Sequence, residues 1–193
     1  MKAKVLLTLG TILLLSLSTA SARERTYMGH PVSDMKFPIA GGQEVSLPVT
    51  DAGPIPAEDK DYKIEVAGFS ITPSLLRPKQ AALAWQFALT AKGSQTLEHV
   101  KVEEVYPDDA VTVLVDDPSP SLQKKVWSRS SVGVEPNPIS VPWLFKEGSS
   151  VFVMRFTISP AGKPPVVLYQ PVWFSKPVKE TFRQQVLQIN AGR

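Results

Sequence analysis

The chain has 193 residues, with 21 Lys and Arg against 18 Asp and Glu, and it contains no Cys. The absence of Cys excludes disulfides, thiol catalysis, iron–sulfur clusters and Cys-based zinc sites. Two of the basic residues belong to the leader described next, so the remainder is close to neutral and gives no electrostatic reason to expect a nucleic-acid partner.

Residues 1–22 have the pattern of a cleavable secretory signal peptide. Lys2 and Lys4 supply a basic start, residues 5–17 are almost wholly apolar, and the small residues required before a cleavage site end at Ala22. The apolar stretch is shorter than the roughly 20 residues that span a bilayer, and no later segment is apolar for long enough. We predict cleavage after Ala22 and a mature protein in the periplasm or outside the cell.

The segment that follows the leader shows no clear periodicity. Residues 23–42 end in two glycines, which predicts a linker or an N-terminal arm. Val45, Leu47 and Val49 then alternate with other residues and predict a short strand. Because Pro48 cannot donate a backbone hydrogen bond, this strand is expected at the edge of a sheet.

Two longer strands are predicted after a loop. In residues 62–71 the apolar face switches at Gly68, and a one-residue slip at a glycine is typical of a β-bulge. In residues 83–89 large apolar side chains alternate with smaller or polar ones, which indicates a half-buried strand. A turn is expected at residues 91–95.

The rest of the chain continues the same pattern. From Val178 apolar residues recur at helical spacing, so residues 176–193 are predicted to form a short C-terminal helix, with a frayed tail as the alternative. Apolar alternation predicts further strands near residues 100–102, 111–115, 152–158 and 166–174, and a less regular one within 122–134.

The order of these elements predicts the fold class. No helical crossovers separate the strands, which argues against a parallel sheet. Two antiparallel sheets packed face to face fit the pattern best. We predict one all-β domain, an immunoglobulin-like antiparallel β-sandwich over residues 43–175, followed by the C-terminal helix or tail.

Two stretches are similar to parts of bacterial immunoglobulin-like modules, including the cell-adhesion (CARDB-type) group. Residues 83–102 contain an alternating strand, a Gly-Ser turn and a Val-x-Val strand, and residues 142–156 contain a Gly-Ser turn that leads into a late strand. The resemblance implies a role in binding, scaffolding or assembly. It implies no catalytic residues.

Catalytic and metal-binding residues are hard to find in the sequence. His30 and His99 lack neighbours at ligand spacing, and no Gly-x-Ser-x-Gly elbow is present. The acidic pairs 108–109 and 116–117 flank one strand, so they lie about 23 Å apart, too far for a glycosidase pair. We predict no catalytic residues, no cofactor and no metal ligand. A calcium site in one acidic turn is the alternative to turn-forming Asp residues with solvated charge.

The most interesting apolar cluster is the run Trp143, Leu144 and Phe145. Three consecutive large side chains of an extended segment cannot all face one core, so either a loop or twist buries them or some are exposed. Exposed aromatics near Arg155 would form a partner-binding site. A sheet edge is the second candidate, because its unpaired backbone groups accept a strand.

These observations predict a non-catalytic module that recognises or assembles with another exported protein or envelope component. The alternatives are a carbohydrate or small-ligand binding module and, as a third class, an envelope hydrolase. The oligomeric state stays open at this point.

Overall fold

The computed structural model describes residues 24–73, 81–107, 110–131 and 150–192. A 3-10 turn at Ala40–Gly42 connects the third and fourth strands. The strands and the helix in chain order are β1 Thr26–Tyr27, β2 His30–Pro31, β3 Ser33–Ile39, β4 Gln43–Val49, β5 Ala57–Glu58, β6 Tyr62–Pro73, β7 Ala81–Ala91, β8 Leu97–Val105, β9 Val111–Asp117, β10 Val126–Ser130, β11 Ser150–Pro160, β12 Val166–Phe174 and α1 Lys176–Asn190.

Two four-stranded antiparallel sheets form the body of the molecule. The first sheet has the strand order β10-β7-β6-β5, and the second sheet has the order β12-β11-β8-β9. Their inner faces share one core, in which the rings of Phe87 and Phe156 lie 5.0 Å apart across the interface. The predicted all-β sandwich with a C-terminal helix is confirmed. Its immunoglobulin-like character stays a prediction.

The core follows from the alternation in the sequence. Phe87 and Leu89 of β7 and Phe156 and Ile158 of β11 are fully buried, because alternate residues of a strand point to the same face. Each such side chain contributes about 1.5–3 kcal/mol when it leaves water.

The predicted bulge in β6 is confirmed. Val66 lies opposite Phe87 and Gly68 lies opposite Gln86, so Ala67 is the extra residue in this strand. The extra residue moves the apolar side chains that follow Gly68 to the face that packs on the core. Phe69 accordingly lies edge-on against Phe152 of the second sheet, with ring centroids 5.3 Å apart.

The C-terminal segment is a helix rather than a frayed tail. Pro177 stands in the first turn of α1, where its missing N–H costs nothing. Val186 is buried in the core, with Phe182 and Ile189 packed around it. The side chain of Lys179 donates a hydrogen bond of 2.9 Å from Nζ to Ser150 Oγ at the start of β11.

The segment predicted as a linker or N-terminal arm, residues 23–42, contains the strands β1, β2 and β3. β3 pairs with β4 as an antiparallel hairpin, and Phe37 and Leu47 of that hairpin pack with Val105 and Val153 of the second sheet. The hairpin thereby covers part of the outer face of the second sheet, the face directed away from the first sheet.

The described part of the chain contains no helix that is both long and apolar enough to cross a bilayer.

Candidate functional site

The strand β9 at the end of the second sheet combines two features of a binding edge. It pairs with β8, and no strand pairs with its other side within the described ranges. Val111 and Val113 are 43% and 51% exposed. They lie opposite Val105 and Glu103 of β8, so both side chains belong to the outer face of the second sheet.

The backbone of these two valines also faces the open side. The N–H of Tyr106 donates to the carbonyl of Ala110 over 3.0 Å, which makes these two residues a hydrogen-bonded pair between β8 and β9. Hydrogen-bonded and non-hydrogen-bonded pairs alternate along an antiparallel ladder. The N–H and C=O groups of Val111 and Val113 therefore point away from β8, toward the free edge.

The edge strands β10 and β12 are less open to strand addition than β9. In β10, the edge strand of the first sheet, the exposed residues Ser128 and Arg129 are polar, and polar or charged side chains discourage strand addition. β12 has β4 and β5 beside it, and its Gln170 accepts a hydrogen bond of 2.8 Å from the Ala57 N–H. Among the described edge strands, β9 has two exposed valines, whereas β12 has one, Val167, which is 46% exposed.

The acidic residues that end β9 are already paired within the chain. His99 Nε2 lies 2.5 Å from Asp116 Oδ1. The Asp117 carboxylate accepts hydrogen bonds from Trp127 Nε1 at 2.9 Å and from the guanidinium of Arg129. Burial alone would raise the pKa of Asp117, but hydrogen bonds from Trp127, the Ser119 N–H and Arg129 outweigh it and lower that pKa.

A calcium site in one of the acidic turns was the alternative prediction, and the structure describes only some of the residues concerned. The pair 108–109 lies outside the described residues. In the part of the chain that the structure describes, no group of three or more His, Cys, Asp or Glu side chains is arranged to hold a metal ion.

Arg155, one of the predicted partner-binding residues, forms a hydrogen-bonded ion pair on the outer face. Its Nε and Nη2 donate to Glu103 Oε2 over 3.0 and 2.7 Å, and Lys101 Nζ lies 2.7 Å from Glu103 Oε1. Burial would raise the pKa of Glu103, but hydrogen bonds from Lys101 and Arg155 lower it overall. Arg155 therefore compensates a buried carboxylate, and its contact with a partner stays a prediction.

This ion pair borders the exposed edge. Tyr169, Arg155, Glu103 and Val113 are successive cross-strand neighbours on β12, β11, β8 and β9. A polypeptide paired with β9 would therefore be separated from Glu103 by one strand, β9, and from Arg155 by two strands, β9 and β8. Trp143, Leu144 and Phe145, the other predicted partner-binding residues, lie outside the described residues.

Glu104 points into the sandwich from the strand beside β9. It is 3% exposed, and its Oε2 has no hydrogen-bond partner among the described residues. Burial raises the pKa of Glu104 to about 7, although a hydrogen bond with Tyr106 acts in the opposite direction. The acid is therefore largely neutral below neutral pH and faces Thr112 of β9 across the ladder.

A shallow pocket of about 350 Å³ lies at the turn between β7 and β8. None of the described residues that line it is aromatic. The lining residues are Gly93, Ser94, Gln95, Thr96, Leu122 and Lys125.

Sequence reasoning anticipated an edge strand but did not identify β9. The run Val-Thr-Val-Leu-Val at residues 111–115 indicates a strand, yet alternation does not tell which strand ends a sheet. The pairing of β8 with β9 and of β11 with β12 decides that.

Comparisons with protein-family models, with curated proteins and with solved structures find no match for this chain.

Proposed function

We propose that this protein is an exported, non-catalytic binding or assembly module that holds another polypeptide by adding its strand to β9. The observation that carries the proposal is the combination at Val111 and Val113 of exposed apolar side chains with backbone groups that face the open edge. Hydrogen bonds along such an edge supply affinity, and contacts with alternate side chains supply specificity.

The physical cost of leaving this edge open supports the same proposal. Exposed apolar edge strands promote aggregation, and proteins usually protect them with charged residues, Pro or bulges. Ser128 and Arg129 follow that rule on β10, and Val111 and Val113 do not. A partner strand would bury both valines and pair their backbone groups.

Export is proposed from the sequence. The basic start, the apolar stretch and the small residues up to Ala22 fit a secretory leader. A chain without Cys is compatible with an oxidising compartment, because it has no thiols to mispair. The proposed partner is therefore another polypeptide of the periplasm or the cell exterior.

Site-directed photocrosslinking in the producing cell tests the proposal. A photoreactive residue replaces Val113 in one variant and Ser128, on the protected edge, in the matched control. We expect discrete crosslinked products from position 113 that are absent from position 128, and mass spectrometry should locate the crosslink in an extended segment of the other polypeptide. Equal products at both positions, or none at position 113, would contradict the proposal.

A further inference from the structure

We infer that the pocket beside the β7–β8 turn binds a small ligand through an anionic group, a carboxylate or a phosphate. The pocket is separate from the open edge of β9, because Gln95 and Thr96 lie just before the start of β8, whereas Val111 pairs with Val105 at the other end of that strand. Its volume of about 350 Å³ falls within the range of small-molecule sites, about 300–1,000 Å³. The inference does not depend on the function proposed for β9.

The described lining of the pocket offers hydrogen-bond donors and no acidic side chain. Ser94, Gln95, Thr96 and Lys125 carry O–H or N–H groups, and none of the described lining residues is Asp or Glu. The hydroxyl of the buried Tyr62 donates to Gln95 Oε1 over 2.7 Å. This contact orients the Gln95 amide and leaves its NH2 group as the donor. An anionic oxygen, which accepts hydrogen bonds and does not donate them, matches such a lining.

Lys125 adds a positive charge that the described chain does not neutralise. Neither Lys125 nor its neighbour Lys124 forms an ion pair within the described residues. Lys92, which precedes the lining residue Gly93, is by contrast paired with Glu58 over 2.9 Å. The ammonium group of Lys125 is therefore available to a ligand of opposite charge.

The backbone around Lys125 is held in an unfavourable conformation. Lys124 and Lys125 have φ angles of 51° and 68°, and they occupy the centre of a turn closed by two hydrogen bonds of 2.9 Å between Gln123 and Val126. The Ala91 N–H donates to the Lys125 carbonyl over 2.9 Å, which fixes the turn against the end of β7. Asn and Gly are favoured at such positions, and strained residues of other types cluster at functional sites. A ligand role for the Lys125 ammonium accounts for a lysine at this position.

NMR titration of the purified protein tests the inference with three probes that share one carbon skeleton. Glycerol 3-phosphate and glycerate carry the two anionic groups, and glycerol carries neither. At constant ionic strength we expect saturable shifts of the amide signals of residues 93–96, and of the Gln95 side-chain amide, with at least one of the two anions and none with glycerol. The anion with the lower Kd identifies the group that the pocket takes.

Three variants connect this binding to Lys125. Lys125→Gln should raise the Kd of that anion about tenfold, the worth of one charge-assisted hydrogen bond, and the control Lys163→Gln, which removes an exposed lysine elsewhere, should leave it unchanged. The double variant Lys124→Asn/Lys125→Gly should lose binding without losing stability in urea, which separates a ligand role of these lysines from a structural one. Shifts that do not saturate with either anion, equal shifts with glycerol, or equal losses in Lys125→Gln and Lys163→Gln would overturn the inference.

Discussion

At the scale of single residues, Glu104 makes stability depend on pH. Its carboxyl group is buried on the inner face of the second sheet, and one of its oxygens has no hydrogen-bond partner in the part of the chain that the structure describes. Its pKa is raised from 4.5 to about 7. Between these two values the folded chain binds more protons at this site than the unfolded chain. The stabilising contribution is therefore complete below about pH 4.5 and is lost as the pH rises through about 7.

We predict that Glu104→Gln removes this dependence. A shift of this size corresponds to about 3 kcal/mol, at about 1.4 kcal/mol for each pKa unit. Relative to the unmodified protein, the variant should gain about that much free energy of unfolding between pH 4 and pH 8, measured by urea titration at both values. The exposed Glu98→Gln is the control, and parallel pH profiles for Glu104→Gln and the unmodified protein would contradict the prediction.

The ion pair of Arg155 gives a second prediction at this scale. Arg155→Ala removes one cation from a carboxylate, Glu103, that is only 3% exposed. Breaking a buried pair costs about 3–5 kcal/mol, but Lys101 remains at 2.7 Å, so we expect about 1–3 kcal/mol. Thermal and urea unfolding should show this loss, and the exposed control Lys163→Ala should change little. A loss no larger than that of the control would show that Arg155 does not compensate Glu103.

At the scale of elements, periodicity predicted most of the strands and the helix. The bulge at Gly68 follows from a phase shift that the sequence itself displays. β3 was missed although Met35, Phe37 and Ile39 alternate, because polar residues and Pro38 stand between them. That strand is stabilised by its pairing with β4 and by Val105 and Val153 of the second sheet, contacts that local sequence does not contain.

The turn before β10 holds two lysines in a strained backbone conformation. Lys124 and Lys125 connect Gln123 and Val126 with φ angles of 51° and 68°, the left-handed region that favours Asn and Gly at such tight turns. We predict that the double variant Lys124→Asn/Lys125→Gly raises the free energy of unfolding by about 1–2 kcal/mol. Placing Asn-Gly at the exposed pair Lys163 and Pro164 should give no such gain, and an unchanged or lowered stability of the first variant would refute the strain.

At the scale of the whole molecule, the fold class could be predicted and the site could not. The alternation of apolar and polar residues along each strand predicts a sandwich. The exposure of Val111 and Val113 depends instead on the order of strands in the second sheet. That order results from pairings among β8, β9, β11 and β12 that are distant in the chain. Arg155, a predicted partner-binding residue, lies on β11 of the same sheet as β9, with β8 between the two strands, and its role stays a prediction.

The same arrangement explains why one edge is available to a partner. The β3–β4 hairpin covers the outer face around Val105 and Val153, and β4 and β5 lie beside β12. β12 is the other described edge of the second sheet, so β9 is the more open of the two. We therefore regard strand addition at β9 as the central property of the molecule.

Amide hydrogen exchange along β9 tests that property most directly. In dilute protein the Val111 and Val113 amides should exchange rapidly, because they face the open edge, while the Thr112 amide, which faces β8, should be protected. Binding of the partner polypeptide should protect the two valine amides. Equal protection of all three amides in dilute, monomeric protein would show that the edge is already paired and would contradict the account.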